Sequence, residues 1–130
     1  MTDRDAVEQL FATYTYAIDT REFDLLYGVF TQDAKFVVSI EGGDTFPFEG
    51  RDSLVPFISE TTSAQTDRRL HLLTNIRVND DDTASGYLTL VVVDNGTLTV
   101  KSGGIYRVTL AEEDGALRFA RMDLSLLLPF

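Results

Sequence analysis

The chain has 130 residues, 44% hydrophobic and 25% charged, which suits one globular domain, 1–130, with one sizeable core. It has no cysteine and one histidine, which excludes disulfides, thiolate chemistry and, within a single chain, metal sites built on two or three histidines. Its net charge of −10, uninterrupted by any basic stripe, argues against nucleic acid and anionic membranes, and no apolar run approaches the roughly 20 residues of a membrane span.

The first residues, MTDRDAVEQL, are acidic and polar, unlike a signal peptide, so a cytoplasmic protein is expected. Val7, Leu10, Phe11, Tyr14 and Ile18 recur at helical spacing and form one apolar stripe. Thr2 with Asp5 resembles a capping box at the start of this helix. Asp19 with Glu22 is placed to cap a second, short helix through FDLLYGVF. A strand over about 34–40 follows, and Gly42-Gly43-Asp44 turns it back through 45–48. A third helix is expected over about 53–61, where Pro56 is tolerated if Asp52 or Ser53 is the N-cap.

From Arg68 onward the pattern changes to strands, near 69–79, 83–94, 97–111 and 116–127. Asn79-Asp80-Asp81-Asp82, Asp94-Asn95-Gly96 and Asp114-Gly115 separate them, so the second half reads as an antiparallel meander. Helices first and strands after imply an α+β fold. Gly86, Gly103 and Gly104 inside long strands suggest a strongly bent sheet that curls around a helix and leaves an apolar pocket.

No nucleophile elbow, phosphate loop or dinucleotide fingerprint is present, and the three aspartates at 80–82 read as a solvated turn. Acid–base chemistry by Asp, His and Tyr, with no cofactor and no metal, is what remains. His71 has two readings, a hydrogen-bonded core histidine or a general acid or base. Alternation groups His71 with Leu73 and Asn75, opposite Leu70, Leu72 and Thr74, without deciding which face points inward. Asp19 is either a helix cap or the partner that orients His71. Tyr14 lies on the apolar stripe, where a buried phenol needs a partner, whereas Tyr16 lies off it.

The order of parts resembles the nuclear transport factor 2-like superfamily, in its SnoaL-like and scytalone-dehydratase-like branch. The resemblance is carried by Tyr14-x-x-x-Ile18-Asp19-x-x-Glu22-Phe23-Asp24, by Val29-Phe30-Thr31-Gln32-Asp33-Ala34 and by Gly50-Arg51-Asp52-Ser53. His71-x-x-x-Asn75-Ile76, Gly104-Ile105-Tyr106 and Asp114-Gly115 follow in the same order. The resemblance implies a cone of curved mixed or antiparallel sheet wrapped around the helices (an α+β barrel), often paired as a homodimer through the sheet.

It also implies a site. In dehydratase-like members an aspartate ending the first helix pairs with a histidine on the strand after the third helix, the positions of Asp19 and His71. His71, Asp19 and Tyr14 are then the catalytic candidates, and Asn75, Tyr106, Phe36, Val38, Phe57 and Leu88 the pocket walls. The substrate expected from this resemblance is a small apolar, cyclic or polyketide-like molecule, and the expected reaction a dehydration, isomerisation or cyclisation. Ketosteroid isomerases place their base on the first strand, which here reads Lys35-Phe36-Val37-Val38-Ser39, without a carboxylate. The second histidine of scytalone dehydratase and its tyrosine near Val38 are also missing, as is the Asp-Arg-Asp pattern of limonene epoxide hydrolase. A non-catalytic ligand-binding or dimerisation module and an epoxide hydrolase are the alternatives.

Overall fold

The apolar stripe forms helix α1, Arg4–Asp19, which buries Val7, Leu10, Phe11, Tyr14, Ala17 and Ile18. The computed structural model describes residues 3–130. The N-cap is Asp3, whose carboxylate accepts the Asp5 amide at 3.0 Å; Thr2 lies outside the described residues. At the other end the Thr20 amide donates to the Tyr16 carbonyl at 2.9 Å, and Arg21 turns the chain out with φ 59°. A left-handed residue after a helix end is the usual stop, though a residue with a Cβ holds it at a cost of about 1–2 kcal/mol.

The second, short helix forms as a 3-10 helix, Phe23–Gly28. Its N-cap residue is Glu22 and no side chain caps it. The expected cap by Asp19 is therefore corrected: Asp19 is the last residue of α1, and its carboxylate bonds to His71.

Strand β1 (Phe30–Ile40) pairs antiparallel with β2 (Thr45–Glu49). Helix α2 (Arg51–Ser63) follows from Gly50, whose φ of 86° favours glycine and whose carbonyl accepts the Ser53 and Leu54 amides. This corrects the expected N-cap at Asp52 or Ser53 and puts Pro56 inside the helix, where its ring removes the N–H that would reach the Asp52 carbonyl. The ring of Phe57 stacks on Phe48 of β2 at 3.8 Å and anchors α2 over the sheet.

Strands β3 (Arg68–Val78), β4 (Thr83–Asp94), β5 (Thr97–Glu113) and β6 (Ala116–Leu126) form the meander, and β6 then lies parallel to β1. The six-stranded order is β2-β1-β6-β5-β4-β3. Register shifts bend the sheet at three places along the meander. Asn75 and Ile76 face the single Gly86, Lys101 is the extra residue of β5 opposite Leu90 and Val91, and Ala120 is the extra residue of β6. At Gly104 a Cβ would collide with the Ser125 carbonyl of β6, so the close approach of β5 to β6 requires glycine there.

The bent sheet closes over α1. Phe11 packs on Phe119 (ring centroids 5.0 Å apart), and Tyr14 meets Tyr106 and Phe30 edge-on at 5.6 and 6.0 Å. Each such buried ring contributes about 1.5–3 kcal/mol by leaving water. The edge of β3 would present free backbone groups. Arg4 of α1 donates to the Ile76 carbonyl at 2.8 Å and Asp19 accepts the His71 amide at 3.0 Å, so α1 ties down both halves of this edge. No helix among the described residues is long and apolar enough to cross a membrane.

Candidate active site

The end of α1 and the start of β3 build the polar part of the site. Burial along β3 alternates, and Arg69, His71 and Leu73 form the inward set. Asp19 Oδ1 lies 2.6 Å from His71 Nδ1, and Asp19 Oδ2 takes the His71 backbone N–H. Both side chains are largely shielded, 13% and 17% exposed. An ionised carboxylate can only accept, so Nδ1 carries the ring proton. In the neutral ring Nε2 is then a lone-pair acceptor.

A carboxylate at a helix C-terminus is opposed by the helix dipole, and α1 has no basic residue in its last turn. The compensation comes from across the fold: Arg68 Nη1 donates to the Asp19 carbonyl at 2.6 Å. The same end of α1 thus holds a carboxylate aimed at His71 and a cation that neutralises the terminal carbonyl.

His71 borders an apolar cavity of about 70 Å³ with Tyr14, Phe36, Val38, Phe57, Leu88 and Tyr106 among its walls. Ile18, Ile58, Leu90, Leu124, Leu126 and Phe130 complete the apolar lining. A cavity of about 150 Å³ accommodates benzene, so a ring-sized ligand displaces part of this wall. Phe130 is the exposed member of that wall.

Tyr14 and Tyr106 lie in the core with their hydroxyls 3.3 Å apart. One proton serves that mutual bond, which leaves the second O–H for a ligand oxygen. Burial pushes both phenols above their ordinary range, and the Asp19 charge adds to the rise in each, so both remain neutral donors at physiological pH. Tyr16 is 53% exposed and takes no part.

Asn75 does not line the cavity. It is exposed, sits in the β3 bulge with φ 56°, and the extra residue passes the inward positions to Ile76 and Val78. Strict alternation, which grouped it with His71, fails because a bulge resets the period of two. Sequence reasoning missed Arg69, two residues before His71 on the same face, together with Thr61, Thr62 and Gln65 at the polar end. The parity of Arg69 with His71 was the available signal. Asp67 holds Arg69 through two hydrogen bonds, Nε to Oδ1 at 2.7 Å and Nη2 to Oδ2 at 3.2 Å.

The profile of the SnoaL-like domain matches residues 1–123. Among curated proteins none matches. Among solved structures, a protein from Catenulispora acidiphila in complex with S-DNPA is 25% identical, with a TM-score of 0.78 over 94% of this chain and 91% of that one. ActVI-ORFA from Streptomyces coelicolor superposes with a TM-score of 0.77 at 17% identity, covering 94% and 95%. An NTF2-like protein with a cystatin-like fold from Novosphingobium aromaticivorans gives 0.74 at 21%, covering 96% and 82%.

Proposed function

The chain belongs to the SnoaL-like domain family, and we propose that it is a cofactor-independent acid–base enzyme for a small, largely apolar cyclic or polyketide-like molecule. The observation that carries the reading is the Asp19–His71 contact of 2.6 Å at the rim of an apolar cavity. Asp19 fixes the ring with Nδ1 protonated and stabilises the imidazolium, so His71 Nε2 takes a proton from carbon beside a carbonyl or returns it to a departing hydroxyl. The free proton of the Tyr14–Tyr106 pair polarises the substrate oxygen. Dehydration, isomerisation and cyclisation all use this one proton transfer. The ligand-bound relative from Catenulispora acidiphila supports a small-molecule role for the cavity.

A panel of small cyclic hydroxyketones incubated with wild type and His71→Ala, read by mass spectrometry, tests the proposal. Loss of water and isobaric products are separated by mass, and turnover should vanish in the variant. Equal turnover in His71→Ala overturns it. The narrow cavity favours a second reading, a binding module without chemistry, in which wild type takes up ligands and converts none.

The outer face of the sheet supports a homodimer. Leu70, Val91 and Val100 lie side by side across β3, β4 and β5, next to the row of Val93 and Leu98 and near Leu72 and Tyr87. Six of these seven, all but the half-buried Val91, are exposed. An apolar patch of this kind marks an association surface.

A further inference from the structure

The polar end of the cavity carries a charge pattern at odds with the rest of the chain. Net charge is −10, yet the cleft that continues the cavity beyond His71 is lined by three guanidiniums, Arg21, Arg68 and Arg69, and two carboxylates, Asp19 and Asp67. Arg21 and Arg68 brace the backbone there, Arg21 through the Gln65 carbonyl at 3.1 Å and Arg68 through that of Asp19. Asp19 is committed to His71, and Asp67 to Arg69.

Arg69 differs from the other two because it also lines the apolar cavity and is only 11% exposed. Asp67 occupies its Nε and one edge of Nη2. Its Nη1 donors meet no protein acceptor among the described residues. A guanidinium oriented on one side by a carboxylate, with its other edge free beside an apolar cavity, is suited to a planar anion.

We propose that the substrate carries an anionic oxygen group, a carboxylate or an equivalent planar oxyanion, which Arg69 binds at the polar end of the cavity while the apolar body lies inside. Arg21 and Arg68 make the mouth locally positive and draw the anion past the acidic surface. This rests on the cavity being the ligand site, as the proposed function has it, but not on the proton chemistry of His71. It narrows the substrate class from a largely apolar molecule to an apolar acid.

Phenylacetate and its neutral isostere phenylacetamide serve as probes, with binding measured by ligand-observed NMR titration. The double variant Asp67→Asn/Arg69→Gln removes one charge of each sign, leaving net charge unchanged. Wild type should favour the acid by about tenfold, and the preference should disappear in the double variant. It should weaken at about 1 M salt, where the screening length is near 3 Å. His71→Asn should keep the preference even though it abolishes proton transfer, which separates failure of this assignment from failure of the enzymatic one. Equal binding of acid and amide by wild type overturns the proposal, as does binding of neither. So does a preference that survives in the double variant or depends on His71.

Discussion

Asp19 meets His71 twice: Oδ1 lies 2.6 Å from the ring Nδ1, and Oδ2 accepts the His71 backbone amide at 3.0 Å. One carboxylate therefore both satisfies an edge-strand N–H and sets the ring's tautomer. Because the chain has one histidine, nitrogen-detected NMR of the imidazole is free of assignment ambiguity. In Asp19→Asn the amide oxygen can still accept the backbone N–H, which turns its NH₂ toward Nδ1. We expect the ring proton to move from Nδ1 to Nε2. Activity should drop on the order of 10²–10⁴-fold, and stability should fall by about 1–3 kcal/mol. An unchanged tautomer in the variant would show that Asp19 does not set it.

Alkaline pH probes the tyrosine pair. Unfolded phenols ionise near pH 10, whereas burial raises the folded-state values of Tyr14 and Tyr106. Above about pH 10 the folded state therefore holds more protons than the unfolded one. The pair's contribution is fully present below about pH 10 and is lost as pH rises toward the folded values. Denaturant midpoints measured from about pH 9 to about pH 11 should fall, and Tyr14→Phe/Tyr106→Phe should flatten the decline. The same slope in both proteins would assign the alkaline loss to other groups.

Asn75 offers a control that separates the bulge from the cavity. Its φ of 56° is left-handed and its side chain is exposed. Replacement by Gly should be neutral or slightly stabilising, and replacement by Val should cost about 1–2 kcal/mol from backbone strain alone. Neither should alter ligand binding. A large loss of binding in Asn75→Gly would restore the residue to the site.

The outer sheet face gives a prediction about assembly. Leu72→Glu places a charge beside the Leu70, Val91 and Val100 row without touching the inward face of β3. Sedimentation should show wild type as a dimer and the variant shifted to monomer, with the circular dichroism of the folded protein retained. A wild-type monomer at micromolar concentration would dismiss this interface.

The elements that the sequence made legible are those whose signals are local. The α1 stripe, the hairpin turns and the meander follow from periodicity and turn chemistry, and strand limits fall within a few residues of those observed. What escaped depended on distant geometry. Gly50 starts α2 because its left-handed conformation and its carbonyl replace a side-chain cap, and no composition rule at Asp52 or Ser53 reveals that. The β3 bulge changes the facing of everything beyond Thr74, so Asn75 left the site and Ile76 entered the interior. Arg69 was overlooked because a charged residue on a strand reads as solvated until a partner such as Asp67 is seen beside it.

Solvent-deuterium exchange into a cyclic ketone tests the central claim, that His71 Nε2 moves a proton at carbon inside this cavity. 2-Tetralone, whose α-carbon protons are acidic, is incubated in D₂O with wild type and with His71→Ala and followed by proton NMR. The account expects exchange well above buffer in wild type and buffer-level exchange in His71→Ala. Exchange that persists in the variant, or wild type no faster than buffer, would contradict it.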